Sequence, residues 1–351
     1  MRGGVDFLLV ETCFDALNVK AALAGIAAAC SGGCVYEDPR LSDGQAPPGR
    51  GWHVFSNTIP HCTSPAQNSH NPSATLMGIS AERGSEVRLP VVVSVSVGDR
   101  SGRTLTGQTL EAFYTAVRHY PIAAFGLNCS LGAAEMMPLV EEIASWCECG
   151  VSCYPNAGLP NEMGTYDQTP AEMAAQVREL ASRGLVNIVG GCCGTTPDHI
   201  RAIAQAVSGL APRDLKTDIH KDIPSAKIGI FTDEPLTVCG LETVKVDLAN
   251  SNFTNVGERT NVAGSRKFAR LISEGKYDEA LQIAAKQIED GARIIDINMD
   301  DAMLNSTREM ERFVRYISND PAVAKAALMI DSSHWETIIA GLQNAQGKCI
   351  V

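Results

Sequence analysis

Short apolar segments alternate with amphipathic helical patterns along most of this chain, and the alternation restricts the folds open to it. It is typical of parallel βαβ units. A clear helix signal lies at Thr169-Pro170-Ala171-Glu172, a capping box with proline in the first turn, and Gly184 ends that helix. The sequence predicts an α/β domain with strands at residues 5–10, 91–96, 123–128, 151–154 and 186–189. A closed barrel of this type has eight strands, so the pattern represents part of one.

A second βα pattern follows a proline-containing linker at residues 210–252. Its helix is predicted over residues 277–289, with Leu281 and Ala284 on its apolar face and Gly291 as its stop. Strands are predicted near residues 254–257, at 292–298 and at 327–330, and a further one begins at 350–351. The predicted domains are residues 1–209 and 253–351.

Residues 30–89 interrupt the first pattern. They are rich in Gly, Pro, Ser and Asn, show no strand or helix period, and contain His53, His61 and His70. One interpretation is a metal-binding or lid insertion; the other is a disordered surface excursion, or sequence that does not belong to the protein. We favour the second interpretation.

Composition restricts the class of protein. The formal net charge is −11 and there is no basic stripe, so we expect no nucleic-acid partner. We expect no membrane partner either, because no apolar run approaches the length of a membrane span. The 12 cysteines form no evident disulfide framework, and the first residues show no signal-peptide pattern, so we expect a cytoplasmic protein.

Three cysteines stand out from the others. Cys129 follows one predicted strand, and Cys192 and Cys193 follow another within the glycine-rich sequence GGCCG. Because the carboxyl ends of parallel strands meet at one edge of a sheet, three thiolates can converge there on one Zn²⁺ and leave its fourth position open for a substrate thiol. Free cysteines more often pack as small apolar side chains, and the spacing is not that of a zinc finger, so a structural role stays open at this point.

Several motifs resemble known families. The segments GLNCSLGA, PNAGLPNEMGTYD and GGCCGTTPDHI resemble the zinc-dependent homocysteine methyltransferase barrel. The segments NVGERTNVAGSRKF, DGARIIDINMDDAML and MIDSSHWE resemble the pterin-binding barrel that follows it in the cobalamin-dependent methionine synthase family. The order of the two motif sets on one chain makes the resemblance specific.

The resemblance implies two (β/α)8 TIM-type barrels in tandem, both incomplete in this chain. The first would supply its C-terminal five βα units and the second its first three to four. Residues 5–10 would then be the fourth strand of the first barrel. Three strands would be absent in front and five behind, together with the cobalamin-binding module, and we expect the chain to be inactive alone.

The resemblance also implies roles for particular residues of the first domain. Cys129, Cys192 and Cys193 would be the zinc ligands and would count as catalytic, and Glu11 would bind the amino group of homocysteine. A carboxylate suits an ammonium group, although a solvated rim glutamate is the alternative. Asn128 and Asn156 would position the loops around the metal, or would simply cap strand ends.

In the second domain the resemblance implies a site for methyltetrahydrofolate at Asn261, Asp296, Asn298 and Asp331, with Asp296 also catalytic. Amides and carboxylates suit the donors and acceptors of a pterin ring. Asp296 stands in an otherwise apolar strand, where a lone carboxylate is costly to bury, so a structural role alone is a poor account of it. Asp300, Asp301 and Glu258 stay ambiguous.

The implied activity is methyl transfer from 5-methyltetrahydrofolate, by way of cobalamin, to a zinc-activated homocysteine thiolate, giving methionine. Two alternatives remain open. One is a cobalamin-independent thiol methyltransferase that uses betaine or a methylated thiol, against which the ERTN and DINMD segments argue. The other is a truncated chain without catalysis, because open barrels expose strand edges and apolar faces.

Overall fold

The structure is a computed structural model, and it describes residues 5–30, 89–215, 235–247, 250 and 252–351. By its contacts the chain divides into two compact units, one formed by residues 1–20 with 90–351 and the other by residues 21–89. Most of the predicted interruption at residues 30–89, including its three histidines, lies outside the described residues. That interpretation and the domain boundaries therefore stay predictions.

The described chain folds into strands and helices that alternate through most of its length. The elements, in chain order, are β1 Leu8–Cys13, α1 Ala16–Cys30, β2 Val91–Val95, α2 Leu110–Val117, β3 Ala124–Gly132, α3 Ala133–Trp146, β4 Gly150–Asn156, α4 Pro170–Ser182, β5 Ile188–Val189, α5 Pro197–Val207, β6 Leu236–Cys239, β7 Thr243–Val246, β8 Val256–Asn261, α6 Arg266–Ser273, α7 Tyr277–Glu289, β9 Ile294–Asn298, α8 Ser306–Ser318, α9 Pro321–Ala324, β10 Ala327–Asp331 and α10 Trp335–Asn344.

The first sheet has five parallel strands in the order β1-β2-β3-β4-β5. Each strand pairs with the next one in the chain, as in successive units of a (β/α) barrel. All five residues of β2 are buried, and Phe113 of α2 packs in tilted contact with Phe125 of β3, with both rings fully buried. α4 has the predicted capping box, with Thr169 as its N-cap.

The second sheet has three parallel strands in the order β10-β9-β8. Ile350 pairs with Met329 of β10 in parallel, which confirms that a further strand begins at the predicted position. The helix predicted over residues 277–289 is α7. Its buried Leu281 and Ala284 join the core cluster of this sheet, which also contains Phe268 and Phe313.

The α/β class and the parallel sheets of TIM-barrel type are confirmed, and neither sheet closes on itself within the described residues. Some details differ from the sequence-based expectations. The strand expected at residues 5–10 is shifted to Leu8–Cys13, and that expected at 186–189 is shortened to Ile188–Val189. An antiparallel hairpin, β6 with β7, lies inside the stretch taken as linker.

No helix among the described residues is long and apolar enough to cross a membrane.

The contact between β3 and β4 requires glycine at position 126. A Cβ atom built there would lie 1.8 Å from the backbone oxygen of Ser152. We predict that Gly126→Ala lowers the free energy of unfolding by about 3 kcal/mol, because the two backbones would have to separate. Urea unfolding measures this, with Gly98→Ala as control, since a Cβ there would meet its nearest atom at 3.7 Å. Equal stability of the two variants would contradict the described packing.

Candidate functional sites

Three thiols meet at the carboxyl edge of the first sheet. The Sγ atoms of Cys129 and Cys193 are 3.6 Å apart, and those of Cys129, Cys192 and Cys193 all lie within 4.8 Å of one another. Cys193 is exposed, while Cys129 and Cys192 are partly buried. Within the described part of the chain this is the one group of three or more His, Cys, Asp or Glu side chains arranged to hold a metal ion.

The spacing of these thiols suits a small tetrahedral ion. Ligands at about 2.3 Å from a tetrahedral zinc are about 3.8 Å from one another, close to the 3.6 Å between Cys129 and Cys193. Burial is the largest influence on Cys129, and it raises the pKa of that thiol to about 11. Since a metal ligand must be a thiolate, deprotonation of Cys129 at neutral pH needs a nearby positive charge such as that of a bound ion.

The backbone at Cys129 has an uncommon conformation. Cys129 and Ser130 have φ angles of 64° and 65°, in the left-handed region that non-glycine residues rarely adopt. β3 continues to Gly132, and its register with β4 shifts between Asn128 and Gly132. Cys129 therefore lies in an irregular part of the strand, not after its end as the sequence indicated.

Asn128 holds this irregular segment in place. Its side chain is 1% exposed and accepts hydrogen bonds from the backbone N–H of Thr12 at 3.0 Å and from the hydroxyl of Ser94 at 2.8 Å. Its Nδ2 donates to the Thr12 hydroxyl at 2.8 Å and lies 3.8 Å from the sulfur of Cys192. Asn128 thus links three strands to the thiol cluster.

The GGCCG loop depends on close approaches that side chains would prevent. A Cβ atom at Gly191 would lie 2.4 Å from the Thr195 side chain, and one at Gly194, whose φ is +78°, would lie 2.3 Å from Cβ of Tyr166. Asn156, which is 2% exposed, accepts a hydrogen bond from the backbone N–H of Cys193 at 3.1 Å. The loop is therefore fixed to the end of β4.

Two further residues bear on the thiol cluster. Glu11 is exposed in β1, and the next residue, Thr12, donates a hydrogen bond to Asn128. Desolvation raises the pKa of the Tyr154 phenol, and the negative charge of Glu11 also acts to raise it. Tyr166 was not predicted: it packs against Gly194, next to Cys193, and desolvation, followed by the charge of Cys193, raises the pKa of its phenol. The motif GTYD contained this tyrosine, but no sequence signal indicated that it would face the thiols.

A second polar cluster lies at the carboxyl edge of the second sheet. Asn261 pairs in register with Asn298, and Asn298 pairs in register with Asp331, so the three lie side by side across β8, β9 and β10. Asn298 Nδ2 donates to Asp331 Oδ2 at 2.8 Å, and Asn261 Nδ2 donates to Asp296 Oδ2 at 3.0 Å. The structure thus brings together all four residues that the sequence indicated.

Asp296 is the most buried carboxylate of this cluster, with 5% exposure. Desolvation raises its pKa, the hydrogen bond from Asn261 opposes the change, and the charges of Asp331 and Glu258 add to it. Glu258 itself is exposed in β8. The arrangement can hold a proton on Asp296 more readily than an exposed aspartate does.

The sequence models of two protein families match this chain, one in each of the regions that contain the two polar clusters. The sequence model of the homocysteine S-methyltransferase family matches residues 66–207. The model of the pterin binding enzyme family matches residues 257–351. The first match begins inside the segment that interrupts the strand-and-helix pattern. It contains the three clustered cysteines, and the second match contains Asn261, Asp296, Asn298 and Asp331.

The pKa of Asp296 is higher in the folded protein than its ordinary value of 3.8. The folded state therefore loses stability relative to the unfolded state as the pH rises from 3.8 through the raised pKa, because the buried carboxyl becomes charged. We predict that Asp296→Asn increases the free energy of unfolding at pH 7, since the amide oxygen still accepts the bond from Asn261 and no charge is buried. The gain should vanish below pH 3.8. Urea unfolding between pH 3 and pH 7 measures it, and a loss of stability at pH 7 would contradict the account.

Proposed function

We propose that this chain, which carries a homocysteine S-methyltransferase domain followed by a pterin-binding enzyme domain, serves methyl transfer from 5-methyltetrahydrofolate to homocysteine by way of cobalamin. The two domains directly support a methyltransferase that acts on homocysteine and a folate-like pterin. The finer assignment is that of a cobalamin-dependent methionine synthase. The observation that carries it is the presence on one chain of a thiol cluster on the first sheet and an amide-carboxylate cluster on the second.

In the first domain, Cys129, Cys192 and Cys193 would hold a zinc ion. Zinc bound there would supply positive charge and an open fourth position, which lower the pKa of a substrate thiol. Asn128 and Asn156 would keep the ligands in place through the Thr12, Ser94 and Cys193 bonds.

Glu11 would bind the ammonium group of homocysteine. It stands exposed in β1, and the next residue in the chain, Thr12, donates its backbone N–H to Asn128, so Glu11 belongs to the strand that is bonded to Asn128. A charge-assisted hydrogen bond from the substrate ammonium would fix one end of homocysteine while its sulfur faces the cysteines.

In the second domain, Asn261, Asn298 and Asp331 would hold the polar edge of the pterin. Asp296 would lie beside the ring, and because desolvation raises its pKa, its carboxyl would take up and release a proton more readily than an exposed aspartate does. When the methyl group leaves N5, that nitrogen gains an electron pair and needs a proton, which the Asp296 carboxyl would donate. Cobalamin would carry the methyl group between the two reactions, and neither cluster is assigned to cobalamin itself.

We expect a substitution in one site to leave ligand binding at the other site unchanged. We predict that Cys193→Ser removes bound zinc and leaves the affinity for 5-methyltetrahydrofolate unchanged. Asp296→Ala should keep the zinc and weaken 5-methyltetrahydrofolate binding by roughly 10-fold to 100-fold, because a buried polar group of the pterin would lose its hydrogen-bond partner. Elemental analysis and titration calorimetry on the same preparations measure both.

Cys153→Ala is the matched control, because Cys153 is a buried thiol with 1% exposure that packs away from the cluster, near the sulfur of Met136. Loss of both zinc and pterin affinity in either site variant would mean that the residue supports the fold. Absence of zinc and of pterin affinity from the unaltered chain would refute the proposal.

The choice of methyl donor separates the proposal from a cobalamin-independent thiol methyltransferase. In a full-length context, with both barrels complete and zinc bound, homocysteine should accept methyl from supplied methylcobalamin in preference to betaine or a methylated thiol. Product analysis by mass spectrometry measures this, and a preference for betaine would favour the other class.

A further inference from the structure

We infer that Asp300 is a positioning residue of the second site, whose carboxylate joins the loop after β9 to the loop after β10 and so fixes the Asn298 amide and the Asp331 carboxylate. The inference rests on the proposed function, because the side chains that it positions are those proposed to hold the pterin.

Both carboxylate oxygens of Asp300 are used in this connection. Oδ1 accepts a hydrogen bond from the Ser332 hydroxyl at 2.7 Å. Oδ2 accepts two, from the Ser333 backbone N–H at 2.7 Å and from the Ser333 hydroxyl at 2.8 Å. Ser332 and Ser333 directly follow Asp331, so the start of the loop after β10 is held at three points by one side chain.

The backbone of Asp300 fixes the amide of Asn298. The Asp300 N–H donates to Asn298 Oδ1 at 2.8 Å, so the amide oxygen of Asn298 is turned toward the backbone of Asp300. The amide nitrogen then faces β10, where it donates to Asp331 Oδ2 at 2.8 Å. An amide flip would put an N–H group against the Asp300 N–H, so the arrangement excludes it.

These contacts form a closed ring. It runs from Asp300 through Ser333 and Ser332 to Asp331, then through Asn298 back to Asp300. A shift of either loop would therefore turn the Asn298 amide and the Asp331 carboxylate together. Misplacement of binding groups by about 1 Å is enough to reduce catalytic efficiency strongly.

The ring requires a carboxylate at position 300. Desolvation acts to raise the pKa of Asp300, but the hydrogen bonds from Ser332 and Ser333 outweigh it and lower the pKa, so the group is charged at neutral pH. The neighbouring Asp301 differs, because its Oδ1 accepts from the Met303 N–H at 2.8 Å and stays within its own loop. Asp301 is thus a matched control of the same residue type.

Hydrogen exchange of the ligand-free chain tests the positioning directly. Asp300→Ala should speed exchange in both loops, at residues 299–304 and 331–334, whereas Asp301→Asn should affect residues 301–304 alone. Unchanged exchange at residues 331–334 in Asp300→Ala would overturn the inference. This readout does not depend on any ligand.

Affinity for 5-methyltetrahydrofolate, measured by titration calorimetry well below the unfolding temperature, tests the consequence for binding. Asp300→Ala should weaken it by about 10-fold to 100-fold, and Asp301→Asn should leave it within about 2-fold. Adding Ser332→Ala and Ser333→Ala to Asp300→Ala should cause little further loss, because the three side chains act through one another.

Wild-type affinity in Asp300→Ala, or a full additive loss in the triple variant, would overturn the inference. Failure of the unaltered chain to bind 5-methyltetrahydrofolate would instead refute the proposed function, while the exchange data would still decide whether Asp300 joins the loops.

Discussion

Parallel pairing of successive strands is the constraint on which both sites depend. Because β8, β9 and β10 run in the same direction, and the register of β8 with β9 shifts between Gly257 and Thr260, Asn261, Asn298 and Asp331 reach one edge side by side. The same rule brings the thiol of Cys129 on β3 to the thiols of the loop after β5, although β4 lies between the two strands. Sequence separation therefore matters little, since the sheet itself sets the spacing of the reactive groups.

Each site contains features that do not favour stability. The left-handed φ angles of Cys129 and Ser130 are uncommon for residues with a side chain, and Asp296 is a buried carboxylate with a raised pKa. Dense hydrogen bonding around Asn128 offsets the first feature, and the bond from Asn261 partly offsets the second. Such local costs are typical of functional positions, where chemistry and not packing determines the residue.

Much of the fold could be predicted because its signals are local. The capping box at Thr169 and the helix Tyr277–Glu289 follow from neighbouring residues, and both are confirmed. The hairpin of β6 and β7 could not be predicted, because its strands have four residues each inside a proline-rich stretch. Cysteines at predicted strand ends pointed to the thiol cluster, but the position of Tyr166 against Gly194 depends on how two separate loops approach each other, which no local pattern records.

The role proposed for the three cysteines is to hold a zinc ion with one position open to the substrate thiol. X-ray absorption at the zinc edge tests it most directly, on the full chain with and without homocysteine. We expect three sulfur ligands at about 2.3 Å and one lighter ligand before homocysteine is added, and four sulfur ligands afterwards. A zinc environment that does not change with homocysteine, or one with fewer than three sulfurs, would contradict it.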